Sequence, residues 1–451
     1  MINENIKEEI LINNISPSDV HSSLRKHMLA DGFELVLDLD KSHGSKIVDA
    51  KTGEIYVDFF TFFASSPFGM NHPKLLAKEV KEELLNAAIN KPSNSDIYTT
   101  LMAEFVDAFS RLAKPDYMKY LFFISGGSLA VENALKVAFD WKVQKNFAKG
   151  YKEEKGQKII HFKQAFHGRS GYTLSLTNTE PNKINYFPKF NWPRIINPKI
   201  TFPLESHLED TIRLEEQSIN EIHSAIENNK DDITAIIIEP IQGEGGDNHF
   251  RKEFFVKLKE IADQNEILLI FDEVQTGFAL TGKFWANEYF VKPDIIVFGK
   301  KAQVCGIICS PKVDEVQGNV FHKSSRINST WGANLVDMVR SKHILRIIHE
   351  DNLIENSAVM GKYLLESLLE LQDDFSELVS NARGLGLMCA FDLPDRETRD
   401  EFKNQCYKEK LLILGSGEKT MRFRPRLDIS KSDIDEGLNI IEKVLNYITK
   451  K

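Results

Sequence analysis

An apolar run, Ile267-Leu268-Leu269-Ile270-Phe271, passes directly into two carboxylates, Asp272 and Glu273. Further along, Pro293-Asp294-Ile295-Ile296-Val297-Phe298-Gly299 leads into two lysines, Lys300 and Lys301. Short apolar runs of this kind predict buried strands. Open α/β sheets bind their ligands beyond the carboxyl ends of the strands. An acid and a lysine at the ends of successive strands therefore meet at one sheet edge. A lysine amine can form a Schiff base with an aldehyde, and an acid can keep a pyridine nitrogen protonated. The pair fits a pyridoxal phosphate site, where the protonated ring acts as an electron sink. A nearby opposite charge moves a pKa by ~1–3 units, roughly 1.4–4 kcal/mol toward the protonated ring. Either element alone is ordinary, a turn-capping carboxylate or a polar strand end; the combination carries the inference.

Two other segments could serve the same site. Ser125-Gly126-Gly127-Ser128 lies between a predicted strand and a predicted helix. Glycine lets the backbone approach a ligand, and the free N–H groups at a helix start favour an anion. The segment is neither G-x-G-x-x-G nor a Walker loop, which argues against dinucleotides and ATP. Ala165-Phe166-His167-Gly168-Arg169-Ser170 follows another predicted strand. Phe166 could stack on a flat ring, and Arg169 could hold a carboxylate with its two-pronged guanidinium.

The elements that must position these residues form an α/β pattern. Strands are predicted at 120–125, 158–163, 233–239, 267–271 and 294–299, with helical stretches between them, one at 129–143. This implies a large, mostly parallel sheet with helices on both faces. Downstream, 335–371 reads as mostly helical, and 385–393 and 421–424 as strands. A final helix has Ser430 as N-cap, Asp433 three residues on, and an apolar stripe of Ile434, Leu438, Ile441, Leu445 and Ile448. The expected division is an N-terminal segment 1–72 that joins the small domain or covers the sheet, a large domain 73–334, and a small α/β domain 335–451.

Composition narrows the function. A net charge of -9 with acids and bases interspersed gives no basic surface for nucleic acid. No apolar run approaches the ~20 residues of a membrane helix, and residues 1–12 lack the apolar core of a leader. The four cysteines, Cys305, Cys309, Cys389 and Cys406, form no C-x-x-C pair and read as reduced thiols of a cytoplasmic protein. The histidines show no metal-ligand spacing, so no metal site is expected.

In combination these segments resemble the class III (omega) aminotransferases, pyridoxal phosphate enzymes of type I fold, over nearly the whole chain. The resemblance rests on Ser125-Gly126-Gly127-Ser128 with Glu132-Asn133-Ala134 and Lys136, and on Phe166-His167-Gly168-Arg169. It extends through Glu239-Pro240-Ile241-Gln242-Gly243-Glu244-Gly245-Gly246, Asp272-Glu273-Val274-Gln275-Thr276-Gly277 and Ser329-Thr330-Trp331-Gly332. Phe298-Gly299-Lys300-Lys301-Ala302-Gln303-Val304-Cys305-Gly306 and Met421-Arg422-Phe423-Arg424-Pro425 resemble the branch of the family that acts on the terminal amine of L-lysine. Ser128 departs from that pattern, where a smaller residue is expected, but still offers its backbone N–H.

The resemblance implies a role for each residue. Lys300, with Lys301 left open by spacing alone, would carry the cofactor and shuttle a proton. Asp272 would pair with the pyridinium nitrogen. Phe166 and Val274 would sandwich the ring, and Gln275 would contact the ring hydroxyl. Gly127, Ser128 and, from a partner subunit, Thr330 would contact the phosphate. Glu239 would be a nearby supporting acid, and Arg169, Arg422 and Glu244 would handle substrate carboxylates. The implied reaction is amino transfer from L-lysine to 2-oxoglutarate, yielding 2-aminoadipate 6-semialdehyde and L-glutamate in a homodimer with shared sites. Donors such as 4-aminobutyrate or ornithine are the same-fold alternative, and a non-catalytic protein that retained the fold is the other.

Overall fold

The computed structural model describes residues 14–450, so the segment 1–12 read above for a leader lies outside them. Two short antiparallel strands come first, β1 (Lys46–Val48) and β2 (Ile55–Asp58). The large sheet then takes β3 (Tyr120–Ile124), β4 (Lys158–Phe162), β5 (Arg194–Ile195), β6 (Ile233–Ile238), β7 (Leu268–Asp272), β8 (Ile295–Phe298) and β9 (Cys305–Cys309). Their spatial order is β3-β9-β8-β7-β6-β4-β5. Each of the five expected strands is present, its ends displaced by no more than one residue.

Both faces of this sheet are covered, which is why its strands read as unbroken apolar runs. Leu268 and Ile270 of β7 pack with Ile295 and Val297 of β8 on one side. There they meet Ala130, Ala134, Leu135 and Ala138 of helix α1 (Gly127–Ala148). Leu269 and Phe271 face the other side, against Phe254, Phe255 and Leu258 of helix α2 (Lys252–Gln264).

Strand β9 was not anticipated from the sequence. It is antiparallel to both of its neighbours, β3 and β8. The chain leaves β8, makes a tight turn through Lys300, and returns at once instead of crossing over through a helix. Cys305-Gly306-Ile307-Ile308-Cys309 is short and has a glycine inside, features that weaken a strand signal. That glycine is required by space: a Cβ at Gly306 would lie 2.2 Å from the Phe122 carbonyl oxygen. All four cysteines are free.

The C-terminal part begins with helices α3 (Leu335–Glu350) and α4 (Leu353–Asp374). The helical stretch expected over 335–371 is broken at Asn352, whose φ is +51°. The single strand expected at 385–393 is instead a hairpin of β10 (Ser380–Leu385) and β11 (Met388–Asp392), turned at Gly386 with φ +56°. Strands β12 (Leu411–Leu412), β13 (Leu414–Ser416) and β14 (Thr420–Phe423) follow. A four-stranded antiparallel sheet takes the order β10-β11-β14-β13. β12 pairs in parallel with β2, Leu411 opposite Val57, so segments near both ends of the chain share a sheet. Helix α5 (Lys431–Thr449) starts with the expected capping box of Ser430 and Asp433. Its stripe packs into the core, with Ile434, Ile441 and Leu445 fully buried. Among the described residues no helix is long and apolar enough to cross a membrane.

Gly361 of α4 is pressed against the β10–β11 turn. A methyl at this position would sit 2.0 Å from the Gly386 carbonyl carbon, where only backbone is available to yield. Gly361→Ala is expected to cost about 1–3 kcal/mol by overpacking, read as a lowered thermal midpoint. An unchanged midpoint would mean that the turn relaxes freely.

Candidate active site

The carboxyl ends of β4, β6, β7 and β8 border one cavity of about 600 Å³. Asp272, the last residue of β7, is buried at its floor. Its Oδ2 lies 2.7 Å from His167 Nδ1, and its Oδ1 accepts from the Val274 N–H at 3.1 Å. These two contacts hold the Asp272 side chain in place. Glu273 turns the other way. It accepts from the backbone N–H of Ala286 and Asn287 at 2.6 and 2.8 Å and from the Asn287 side chain at 2.8 Å. The two adjacent carboxylates thus divide the work, one toward the cavity and one bracing the turn beneath it. Burial pushes the Glu273 carboxyl up to about 7.

Glu239 follows β6 and also lines the cavity. It accepts from the N–H groups of Phe166 and Gly243 at 2.9 and 3.1 Å. Burial raises its pKa to about 7 against the pull of His167.

The neighbouring lysines part company. Lys300 lies in the β8–β9 turn with φ +47°, lines the cavity, and donates to the Phe63 carbonyl at 2.9 Å. Lys301 is fully buried away from the cavity and donates to the Ser66 carbonyl at 3.0 Å. Burial, followed by the Arg422 guanidinium, lowers the Lys300 amine to about 8. Burial and Arg424 take Lys301 to about 7. Both acceptor carbonyls belong to a turn that begins at Thr61-Phe62-Phe63-Ala64, four successive non-glycine residues at positive φ. L-residues disfavour that region by roughly 1–2 kcal/mol each. Nothing in Thr-Phe-Phe-Ala signals this conformation, and Phe63 was not anticipated as a lining residue.

The walls suit a flat, phosphorylated ring. Phe166 and Val274 both line the cavity, as do Gly127 and Ser128 at the start of α1. Gly126 at the N-cap gives no side-chain cap, which leaves first-turn N–H groups without a side-chain partner, and α1 is 22 residues long. The Ser128 hydroxyl is engaged elsewhere, with Ser170 and Thr173 at 2.5 and 2.7 Å. Gln275 Oε1 accepts from Arg424 Nε at 2.9 Å, which leaves the amide nitrogen as its free donor. Gly243 makes room for that amide, because a Cβ there would lie 2.4 Å from Gln275 Oε1. A buried acid, an amine with a lowered pKa, a flanking aromatic ring and an open helix N-terminus together fit pyridoxal phosphate.

The remaining wall carries charge. Arg422 is buried and its Nη1 lies 2.9 Å from Glu244 Oε2. Glu244 Oε1 lies 2.5 Å from Lys183 Nζ. Burial would raise the Glu244 carboxyl, but Arg422 and Lys183 outweigh it and hold the group below its ordinary value. Arg424 makes a second, fully buried pair with Asp247, at 2.5 and 2.8 Å. Arg169 lines the cavity, is exposed, and forms no ion pair among the described residues.

All the predicted site residues line this cavity except Thr330, which is exposed and absent from its walls. Its backbone carbonyl accepts from the Ser95 hydroxyl at 3.0 Å. Sequence reasoning missed His167, Lys183, Phe63 and the Arg424–Asp247 pair. His167 stood inside a segment already singled out, and its position after a strand was the available signal. Lys183, in a short helical turn that starts at Pro181, offered none.

Incubation with pyridoxal phosphate, borohydride reduction and peptide mapping are expected to place the pyridoxyl group on Lys300. Because the pKa of Lys300 is lowered from 10.5, the reactive neutral amine becomes the major form above about pH 8. Capture rate should therefore rise through pH 8. Label on Lys301, or a rise only near pH 10, would contradict this geometry.

Comparison with known proteins agrees with the site. The family model for class-III aminotransferases matches residues 29–445. An L-lysine-epsilon aminotransferase of Mycobacterium tuberculosis is 49% identical over 436 residues, 96% of this chain and 97% of that protein. One from Streptomyces clavuligerus is 44% identical over 442 residues, 97% and 96% of the two chains. A solved lysine aminotransferase from M. tuberculosis superposes with a TM-score of 0.94 at 49% identity, covering 96% of this chain and all of that one. The chain belongs to the class-III aminotransferase family, whose chemistry runs on pyridoxal phosphate.

Proposed function

We propose that this enzyme moves the terminal amino group of L-lysine to 2-oxoglutarate, giving 2-aminoadipate 6-semialdehyde and L-glutamate. The observation that carries the reading is the Arg422–Glu244 pair at the cavity wall. Lysine has no carboxylate beside its reacting terminal carbon, whereas 2-oxoglutarate and glutamate have one. An arginine placed for that near carboxylate would lose its partner when lysine binds. A buried charge left unpaired costs about 3–5 kcal/mol. Glu244 supplies the partner in the lysine half-reaction and moves aside in the other. Both substrates carry a distal carboxylate, and Arg169 is free to take it. The near full-length likeness to lysine-epsilon aminotransferases supports the same donor.

Bound in the cavity, pyridoxal phosphate supplies the electron sink for the carbon that loses its proton. The chain's own residues do the rest. Asp272, fixed by His167 and the Val274 N–H, keeps the ring nitrogen protonated. Phe166 and Val274 hold the ring plane, and Gln275 donates from the amide nitrogen that Arg424 leaves free. Lys300, with its lowered pKa, carries the proton at the reacting carbon. Glu239 buttresses the Phe166 and Gly243 backbone. Gly127 and Ser128 offer N–H groups to the phosphate. Thr330 completes that contact from a second subunit in a homodimer, a reading supported by its absence from the cavity of its own chain. The free thiols suit a reducing compartment, and we place the enzyme in the cytoplasm.

A donor panel with 2-oxoglutarate as acceptor tests the substrate. Lysine is expected to exceed 4-aminobutyrate and ornithine in kcat/KM by tenfold or more, about 1.4 kcal/mol. Preference for either shorter donor would overturn the lysine reading. Glu244→Ala tests the pairing with each half-reaction followed in single turnover. The lysine step should slow at least about tenfold more than the 2-oxoglutarate step. Equal slowing, or none, would make Glu244 structural.

A further inference from the structure

Lys183 has no role in the proposed reaction, yet it touches the residue on which substrate alternation would depend. Its Nζ lies 2.5 Å from Glu244 Oε1, while Arg422 holds the other oxygen at 2.9 Å. The carboxylate is therefore bridged between two cations that approach from different elements. Arg422 is on β14, and Lys183 is in a short helical turn, Pro181–Lys183, that follows the ring-stacking segment. Lys183 is also held independently of Arg422. Glu180 Oε1 is 3.7 Å away, and the amine lies 5.6 Å from the centre of the Phe166 ring. The Lys183 side chain is 20% exposed and that of Glu244 25%, against 5% for Arg422.

These facts set a problem for a mobile Glu244. To admit the near carboxylate of 2-oxoglutarate, Oε2 must leave Arg422. A partly buried carboxylate that gave up its only cation would face the cavity unpaired, and the release would be costly. With Lys183 on the other oxygen, a rotation of the side chain breaks one ion pair and keeps the second.

We propose that Lys183 is the second anchor of Glu244, the residue that keeps its charge paired while Arg422 binds the carboxylate beside the reacting carbon of a 2-oxo diacid. Lys183 is thus a positioning residue that sets how readily the enzyme switches between a carboxylate-free and a carboxylate-bearing reacting centre. The inference rests on the reading of Glu244 as the cover of Arg422. Without the anchor, Glu244 stays on Arg422 and competes with the incoming acid. Lysine, which needs Glu244 in place, is unaffected.

The test uses the holoenzyme and follows each half-reaction in single turnover for the wild type, Lys183→Gln, Lys183→Arg, Glu244→Ala and the Glu244→Ala/Lys183→Gln double variant. Lys183→Gln should raise the half-saturating 2-oxoglutarate concentration by about tenfold and leave the lysine step within about twofold. Lys183→Arg should restore most of the loss. Because the anchor acts only through Glu244, Lys183→Gln should add nothing to Glu244→Ala in the 2-oxoglutarate step. Three results would overturn the anchor: equal loss in both half-reactions, no loss in either, or full additivity in the double variant. Full additivity would mean that Lys183 binds substrate directly. Failure of the underlying reading is seen separately, in a Glu244→Ala variant that slows both steps alike. A selective loss in Glu244→Ala beside an unaltered Lys183→Gln would reject the anchor alone.

Discussion

Arg422 in β14 and Arg424, one residue past its end, are two residues apart and so point to the same side, and each meets an acid from the same glycine-rich loop. Glu244 takes Arg422 and Asp247 takes Arg424. The second pair is fully buried and bidentate, and Arg424 also reaches Gln275. That pair ties the end of β14 to the loop after β6, and through Arg424 it fixes the Gln275 amide at the cavity wall. The first pair is more exposed on its acid side and shared with Lys183. In the proposed function the buried clamp stays in place and the more exposed one exchanges as the substrates alternate. Without the Asp247 pair, Arg424 would lose the partner that holds it against Gln275.

The chemistry rests equally on how the sheet ends. Parallel strands covered on both faces bring Glu239, Asp272 and Lys300 to one edge, where helices no longer exclude a ligand. Burial has opposite consequences for the charges gathered there. It pushes Glu239 up to about 7 and Lys300 down to about 8, because each loses hydration of its charged form. A lysine near neutrality is suited to carry a proton in both directions.

Much of this was legible in the sequence where local pattern and chemistry coincide. Leu268–Asp272 is apolar until its final residue, so both the strand and its acid could be read directly. The capping box at Ser430 was equally plain. The choice between Lys300 and Lys301 was not, because adjacent residues share every pattern. It is separated only by a positive-φ turn that aims one amine at the cavity and the other at Ser66. Strand β9 escaped because a hairpin return looks like any short apolar stretch. The turn at Thr61-Phe62-Phe63-Ala64 escaped because its conformation is imposed from outside. Lys183 and Asp247 escaped because their partners, Glu244 and Arg424, are 61 and 177 residues away in the chain. Contacts of that kind belong to the fold and leave no local periodicity.

Which nitrogen is transferred tests the pairing of Glu244 with Arg422 most directly. Lysine labelled with 15N at either the terminal or the alpha amino group can be supplied with 2-oxoglutarate, and the glutamate formed can be analysed by mass spectrometry. Label is expected to enter glutamate from the terminal amine alone. Label arriving from the alpha amine would mean that the near carboxylate of lysine binds Arg422. The covering role of Glu244 would then be wrong.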